Sequence, residues 1–113
     1  MESIKRAPNY LLVKNFEASR ALSAVQKGDC LNCNGYEYAH IQVIPDGGAA
    51  TVAVGYWCEE AEAAIVVNPA ESYSSVNPFE ITVAVRGRML ALAVTVTGSA
   101  KVLASAFNWN NPD

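Results

Sequence analysis

Hydrophobic and polar residues alternate along several short stretches of this chain, most regularly in residues 79–107. Alternation with a period of two is typical of half-buried β-strands, because successive side chains point to opposite faces of a sheet. Turns at Arg86-Gly87 and Thr97-Gly98-Ser99 divide the region into three such sets, since glycine permits the tight backbone of a hairpin. We therefore expect an antiparallel meander. Its apolar face carries Ile81, Val83 and Val85, then Leu90, Leu92, Val94 and Val96, and finally Val102, Ala104 and Ala106.

A second hairpin is predicted upstream of the meander. Residues 36–44 and 49–57 alternate in the same way on either side of Pro45-Asp46-Gly47-Gly48, which is a strong turn signal. Shorter strand candidates are residues 10–13 and 63–67. The central strands of the fold are therefore expected at residues 36–44, 51–57, 81–85 and 89–97.

Two segments lack a clear alternating pattern. Residues 15–26 fit either a short helix or an irregular strand with a loop, and the β-rich surroundings favour the second. Residues 70–78 have the composition of a polar loop. About seven to eight strands at this spacing predict one all-β antiparallel domain, a sandwich or a barrel.

The expected organisation of the chain has three parts. An N-terminal arm and lead-in segment covers residues 1–28, a β-sandwich covers residues 29–108, and a C-terminal tail covers residues 109–113.

The composition has two alternative explanations. Of the 113 residues, 51% are hydrophobic and only 17% are charged, whereas an average domain has about 25% charged residues. One explanation is a sandwich core rich in Ala and Val. Coverage by other copies of the chain or by a partner is the alternative.

Charge is distributed unevenly along the chain. Through Gly28 there are five basic and two acidic residues, a net charge of +3, whereas the remainder has three basic and nine acidic residues, a net charge of −6. Either chance or docking of the basic segment on an acidic surface, such as Glu59, Glu60 and Glu62, explains the division. The chain lacks the basic patches of nucleic-acid-binding proteins. Candidate interface residues are Lys5, Arg6, Tyr10, Leu11, Leu12 and Trp109.

Candidate chemistry is limited to the cysteines and one histidine. Cys30 and Cys33 could be joined in a metal site only by Cys58 and His40, so free thiols are favoured over a metal site or a disulfide. His40 alternates with Tyr38 and Gln42, which places it on the more polar face of its strand. No catalytic arrangement is recognisable, and we expect no enzyme, no metal and no cofactor.

The sequence also contains few signals that indicate a cellular location. No run of about 18 apolar residues is present, so no membrane span is predicted. The first residues do not have the pattern of a secretory signal. We expect the protein to function in a reducing cytoplasm or in an assembly made there.

The order of these features resembles the order found in a known family of proteins. A basic arm precedes GYEYAHIQVIPDGGAATVAVGYW, then the acidic EEAEA, then FEITVAVRGRMLALAVTVTGSAKVLASAF. This is similar to the small β-sandwich accessory proteins of tailed-bacteriophage virions: capsid decoration (cement) proteins, head-fibre proteins and related minor structural subunits. The three cysteines depart from that family.

The resemblance implies a jelly-roll-like sandwich without catalytic residues. It also implies a homo-oligomer, with a trimer or another cyclic assembly expected, that binds the major capsid protein or another virion protein. Such proteins are made in the host cytoplasm and reside on the capsid surface. The alternative is a carbohydrate-binding or adhesin-like sandwich with a platform of Tyr36, Tyr38, Tyr56, Trp57 and Tyr73. A metal-binding protein that uses the cysteines ranks below both.

Overall fold

The strands predicted from alternation are present and form two packed antiparallel sheets. A computed structural model describes residues 11–67 and 71–108. Within them the strands are β1 (Leu11–Phe16), β2 (Leu31–Asn32), β3 (Tyr38–Asp46), β4 (Ala50–Cys58), β5 (Ala63–Val66), β6 (Ser72–Ser75), β7 (Phe79–Ala84), β8 (Met89–Val96) and β9 (Ser99–Phe107). The all-β class is confirmed, and the only helical turns in this part of the chain are 3-10 turns at Leu22–Ala24 and Lys27–Asp29.

The strand order is that of a jelly roll. The first sheet has four strands in the order β1-β9-β3-β7. The second has the order β2-β8-β4-β5, with β6 also paired to β4, so that β5 and β6 share one edge of β4. If β5 and β6 are taken as one interrupted strand, two four-stranded sheets remain and the chain passes repeatedly between them, as in a jelly roll. The expected sandwich is therefore confirmed. The expected meander is wrong, because β7 and β9 belong to the first sheet and β8 to the second. Alternation shows that one face of a strand is buried, but it does not show which strand is its partner.

The core lies between the two sheets. The predicted apolar faces are the faces that are buried, with Ile41 and Val43 of β3 among the side chains that lose all contact with water. Facing them in the same cluster are Val52 of β4 and Leu90 and Val94 of β8. Many of these side chains are Ala or Val, which agrees with the composition.

The turn between β3 and β4 is present, but the predicted hairpin is wrong. β3 belongs to the first sheet and β4 to the second, so this turn carries the chain from one sheet to the other and the two strands do not pair. Gly47 and Gly48 have φ angles of 82° and 133°. This region of backbone conformation is strained for residues with a side chain. The connection between the two sheets therefore depends on glycine at these positions.

Two strands were not expected from the sequence. Residues 70–78 were predicted to be a polar loop, but Ser72–Ser75 forms β6 by pairing with β4. Its side chains are largely exposed, so burial imposes no apolar alternation on them. β2 has only two residues, too few to show a period.

The ambiguous segment is neither a regular helix nor a regular strand. β1 continues to Phe16, and the chain then crosses the second sheet and pairs with β8 through an isolated bridge between Arg20 and Val94. Residues 11–28, expected as a lead-in, thus supply a sheet strand and a covering segment to the sandwich. We call residues 17–30 the strap.

The strap closes the free edge of β8. The backbone N–H of Arg20 donates to the carbonyl of Val94 at 2.7 Å, and the N–H of Val94 donates back at 3.0 Å. The Arg20 guanidinium donates to the carbonyl of Leu92 at 3.2 Å. The Ser19 hydroxyl accepts the N–H of Val96 at 3.0 Å. Main-chain and side-chain groups therefore replace a neighbouring strand along this edge.

The strap also packs on the outer face of the second sheet. Its 3-10 turn contacts β5 and β8, and Leu22 lies against Gly55 of β4. A Cβ at Gly55 would lie only 2.6 Å from the carbonyl oxygen of Ile65. Glycine is needed here for close approach.

Within the described residues no helix is long and apolar enough to cross a membrane.

Candidate interaction surface

The outer face of the four-stranded sheet brings together side chains from four separate parts of the sequence. We call it the exposed sheet face. Register places its residues in rows that run from β1 through β9 and β3 to β7. The rows are Leu11, Ser105, His40 and Thr82; then Val13, Leu103, Gln42 and Glu80; then Asn15, Lys101 and Ile44.

The β1 side of this face is apolar. Leu11 is 63% exposed and Val13 is 47% exposed, and Leu103 lies next to Val13. Leu12, between them, points inward and packs against the core. β1 is the terminal strand of its sheet, and in the described residues it pairs only with β9. Aliphatic side chains therefore border an open strand edge.

The predicted interface residues separate into three groups. Leu11 lies on the exposed sheet face, as a contact residue should. Leu12 is on the opposite side of the same strand and serves the core. Lys5, Arg6, Tyr10 and Trp109 lie outside the described residues. Val13 and Ile44 were missed, because apolar residues on a strand are expected to be buried.

The β7 side of the face is polar. The Nδ1 atom of His40 lies 3.0 Å from the Thr82 hydroxyl and 3.4 Å from a carboxylate oxygen of Glu80. The Gln42 amide donates to the other Glu80 oxygen at 2.9 Å. The His40 ring also stacks on Phe107, with centroids 4.0 Å apart and planes at 9°. The position predicted for His40, on the more polar face, is confirmed.

Two shallow clefts flank Ile44, which is 44% exposed. The larger, about 360 Å³, is lined by Gln42, Val43, Ile44, Pro78, Phe79 and Glu80. The smaller, about 200 Å³, is lined by Asn15, Glu17, Ile44, Asp46, Ser99, Ala100 and Lys101. Both open on the exposed sheet face, so that face combines apolar, polar and concave regions.

The suggested aromatic platform is not assembled. Tyr36 and Tyr56 are core residues, and the Tyr56 hydroxyl donates to the carbonyl of Ala84 at 2.9 Å. Tyr38 lies on the exposed sheet face, whereas Trp57 and Tyr73 belong to the second sheet. A single sugar-binding surface of these residues is therefore excluded. Tyr38 does approach Phe107, with ring centroids 5.7 Å apart.

The cysteines are unpaired thiols in different environments. Cys33 is fully buried, and burial raises the pKa of its thiol to about 11. Burial also raises the pKa of Cys30, whose sulfur lies 3.6 Å from the Gln26 carbonyl oxygen. Among the described residues, no group of three or more His, Cys, Asp or Glu side chains is arranged to hold a metal ion. A high thiol pKa disfavours the thiolate that nucleophilic or metal chemistry requires.

The strap carries a small charge cluster. Lys14 of β1 donates to Asp29 at 3.0 Å, and Arg20 lies 3.7 Å from the other carboxylate oxygen. The backbone N–H of Gln26, followed by the Lys14 ammonium, lowers the pKa of Asp29. On the acidic surface suggested as a docking site, Glu59 forms an ion pair with Lys27. Part of that surface is thus already neutralised by the strap of the same copy.

Comparisons with known proteins identify no family. No family model and no curated protein matches the chain. Among solved structures, one similar chain is from work titled "Bacillus endospore appendages form a novel family of disulfide-linked pili". It has 11% sequence identity and a TM-score of 0.35, over 96% of this chain and 97% of that chain.

Proposed function

We propose that this chain is a non-enzymatic structural subunit that associates with further copies of itself through the exposed sheet face and its β1 edge. The observation that carries the proposal is the exposure of Leu11 and Val13 side by side on a terminal strand. Unpaired backbone groups beside exposed aliphatic side chains form a template for association, and natural proteins normally protect such edges.

The charge content supports the same conclusion. Soluble monomers commonly protect edge strands with lysine or other charged side chains. On β1 the only charged residue is Lys14, and it points toward the strap, where it binds Asp29. The outer side of β1 therefore carries no charge that would oppose a neighbouring copy.

At a finer level, we place the chain among virion accessory proteins, as a capsid decoration or cement subunit that binds the major capsid protein. Its location would be the capsid surface, after synthesis in the host cytoplasm. The support is the sequence resemblance together with the jelly-roll strand order, an architecture that viral capsid proteins use. Lectin domains use the same architecture, so binding experiments must decide between the two.

The direct test is the mass of the purified full-length protein by light scattering across a range of concentrations. We expect a trimer or another cyclic assembly. Val13→Asp should shift the mass toward one chain, whereas Thr95→Asp, an exposed strand position on the second sheet, should not. A monomer at every concentration would contradict the proposal. Immunogold electron microscopy of particles from the producing cells tests the virion location.

Carbohydrate binding remains the second candidate because of one local arrangement. Tyr38, Phe107 and His40 form a small aromatic cluster beside Gln42 and Glu80 on the exposed sheet face. Aromatic rings next to amide and carboxylate groups suit the apolar face and the hydroxyls of a sugar ring. Titration calorimetry with a panel of simple sugars tests this, and Tyr38→Ala should abolish any heat that is observed.

A further inference from the structure

We propose that copies join in a defined manner, with β1 of one copy added to β7 of the next, so that the four-stranded sheet continues from copy to copy. This inference rests on the proposed function, because it specifies how the self-associating subunit contacts its neighbour. The partner is therefore a second copy of this chain, and the two edges of one sheet are the contact surfaces.

Strand direction favours this junction. The order β1-β9-β3-β7 contains three pairings, all of them antiparallel, so β1 and β7 run in opposite directions at the two edges of the sheet. A second copy placed beside the first in the same orientation then brings its β1 antiparallel to the first copy's β7. Both strands have six residues. In the described residues, neither has a strand on its outer side.

Side-chain character matches at most positions of the overlap. When the two six-residue strands overlap fully, residues of the exposed sheet face meet one another, and residues on the core side do the same. The pairs on the exposed side are Leu11 with Ala84, Val13 with Thr82, and Asn15 with Glu80. The pairs on the core side are Leu12 with Val83, Lys14 with Ile81, and Phe16 with Phe79. Four of the six positions pair like with like, or small with apolar, and cross-strand contacts of this kind stabilise a sheet.

Charge distinguishes this junction from a symmetric one. Lys101 neighbours Asn15 on the β1 side, whereas Glu80 lies on β7. A junction of β1 with β7 brings Glu80 toward Asn15 and Lys101 of the next copy. A junction of β7 with β7 would instead place the Glu80 carboxylates of both copies on the strands that meet, and a junction of β1 with β1 would place Lys101 of both copies one strand behind the contact. Like charges across strands destabilise a pairing.

The consequence for assembly is directional growth. A contact between two different surfaces repeats from copy to copy and produces a closed ring or an open filament. Strand addition supplies backbone hydrogen bonds along the junction, while side chains at alternate positions select the partner. A ring would be the cyclic assembly expected above.

The experiment uses one blocked edge at a time in the full-length protein. Val13→Lys blocks β1 and Thr82→Lys blocks β7, because each places an ammonium group at the junction. Thr95→Lys is the control, since it makes the same change as Thr82→Lys at an exposed strand position of the second sheet. Circular dichroism and thermal unfolding establish that each variant is folded. Leu11→Lys and Ala84→Lys replace any variant that is not.

The decisive measurement is the mass of an equimolar mixture. Each blocked variant alone should self-associate at least about tenfold more weakly than the original chain. The self-association of Thr95→Lys should be unchanged. The mixture should form a complex of two chains, because each variant retains the edge that the other one needs. If Thr82→Lys assembles normally while Val13→Lys does not, the contact joins β1 to β1 and the inference is wrong.

The remaining outcomes separate the two proposals. Normal assembly of both variants would refute the β1–β7 junction and leave self-association itself intact. Loss of assembly in Thr95→Lys as well would show that added charge, rather than a blocked edge, is responsible, and would also refute the junction. An original chain that is always monomeric would refute the proposed function.

Discussion

Replacement of Gly55 by alanine tests the packing of the strap on the second sheet. An added Cβ would lie 2.6 Å from the Ile65 carbonyl oxygen and 2.8 Å and 3.0 Å from the two methyl carbons of Leu22. Overpacking of this kind costs about 1–3 kcal/mol. Alanine also lowers the conformational entropy of the unfolded chain, which offsets about 0.4–1 kcal/mol of this cost. The net expectation is a loss of about 1–2 kcal/mol in the free energy of unfolding.

Gly28 provides the matched control for this substitution. It lies in a 3-10 turn, and an added Cβ there meets no atom within 4 Å. Gly28→Ala should therefore stabilise the protein by about 0.4–1 kcal/mol. Urea unfolding measures both values, and Gly55→Ala should lower the midpoint of thermal unfolding by about 4–8 °C for each kcal/mol that is lost. Combination with Leu22→Ala should recover part of the loss. A Gly55→Ala variant as stable as the original chain would refute the described contact between strap and sheet.

Three further predictions concern single side chains. Tyr56→Phe removes the hydroxyl that donates to a β7 carbonyl and should lower the free energy of unfolding by about 1 kcal/mol in urea. The Gln26 N–H and Lys14 lower the pKa of Asp29 from its ordinary value of 3.8. The Asp29 carboxylate therefore stabilises the fold above pH 3.8, and this contribution is lost as the pH falls below that value. Asp29→Asn should remove this part of the acid sensitivity, which a series of melting curves at different pH values would measure. Cys33, buried and with a pKa raised to about 11, should react with iodoacetamide at pH 8 only after unfolding, as mass spectrometry of the labelled peptides would show.

The sequence was sufficient for the long strands because one face of each is buried. In β3, β4, β8 and β9 the residues predicted to share an apolar face do line the core. β6 could not be found in this way. It is held by backbone pairing with β4 and leaves most of its serine and tyrosine side chains in water.

The interaction surface was only partly predictable for a related reason. In β1 both alternating sets are apolar, with Leu11 and Val13 on one side and Leu12 on the other. The pattern therefore cannot tell which set faces the core. That choice is made by packing between the sheets. Likewise, nothing local to Arg20 indicates that its backbone and side chain serve the edge of β8 more than seventy positions away.

The closed edge of β8 limits how many neighbours one copy is able to hold through strand addition. A sandwich with long unpaired strands on all four sides has four such contacts and grows into branched aggregates. Here the strap and the two-residue β2 occupy one side of the second sheet, and two separate four-residue strands divide the other. Within the described residues, six-residue open edges remain only on the first sheet. Under the proposed strand addition, each copy would have a valence of two, which permits linear or closed chains and prevents branching.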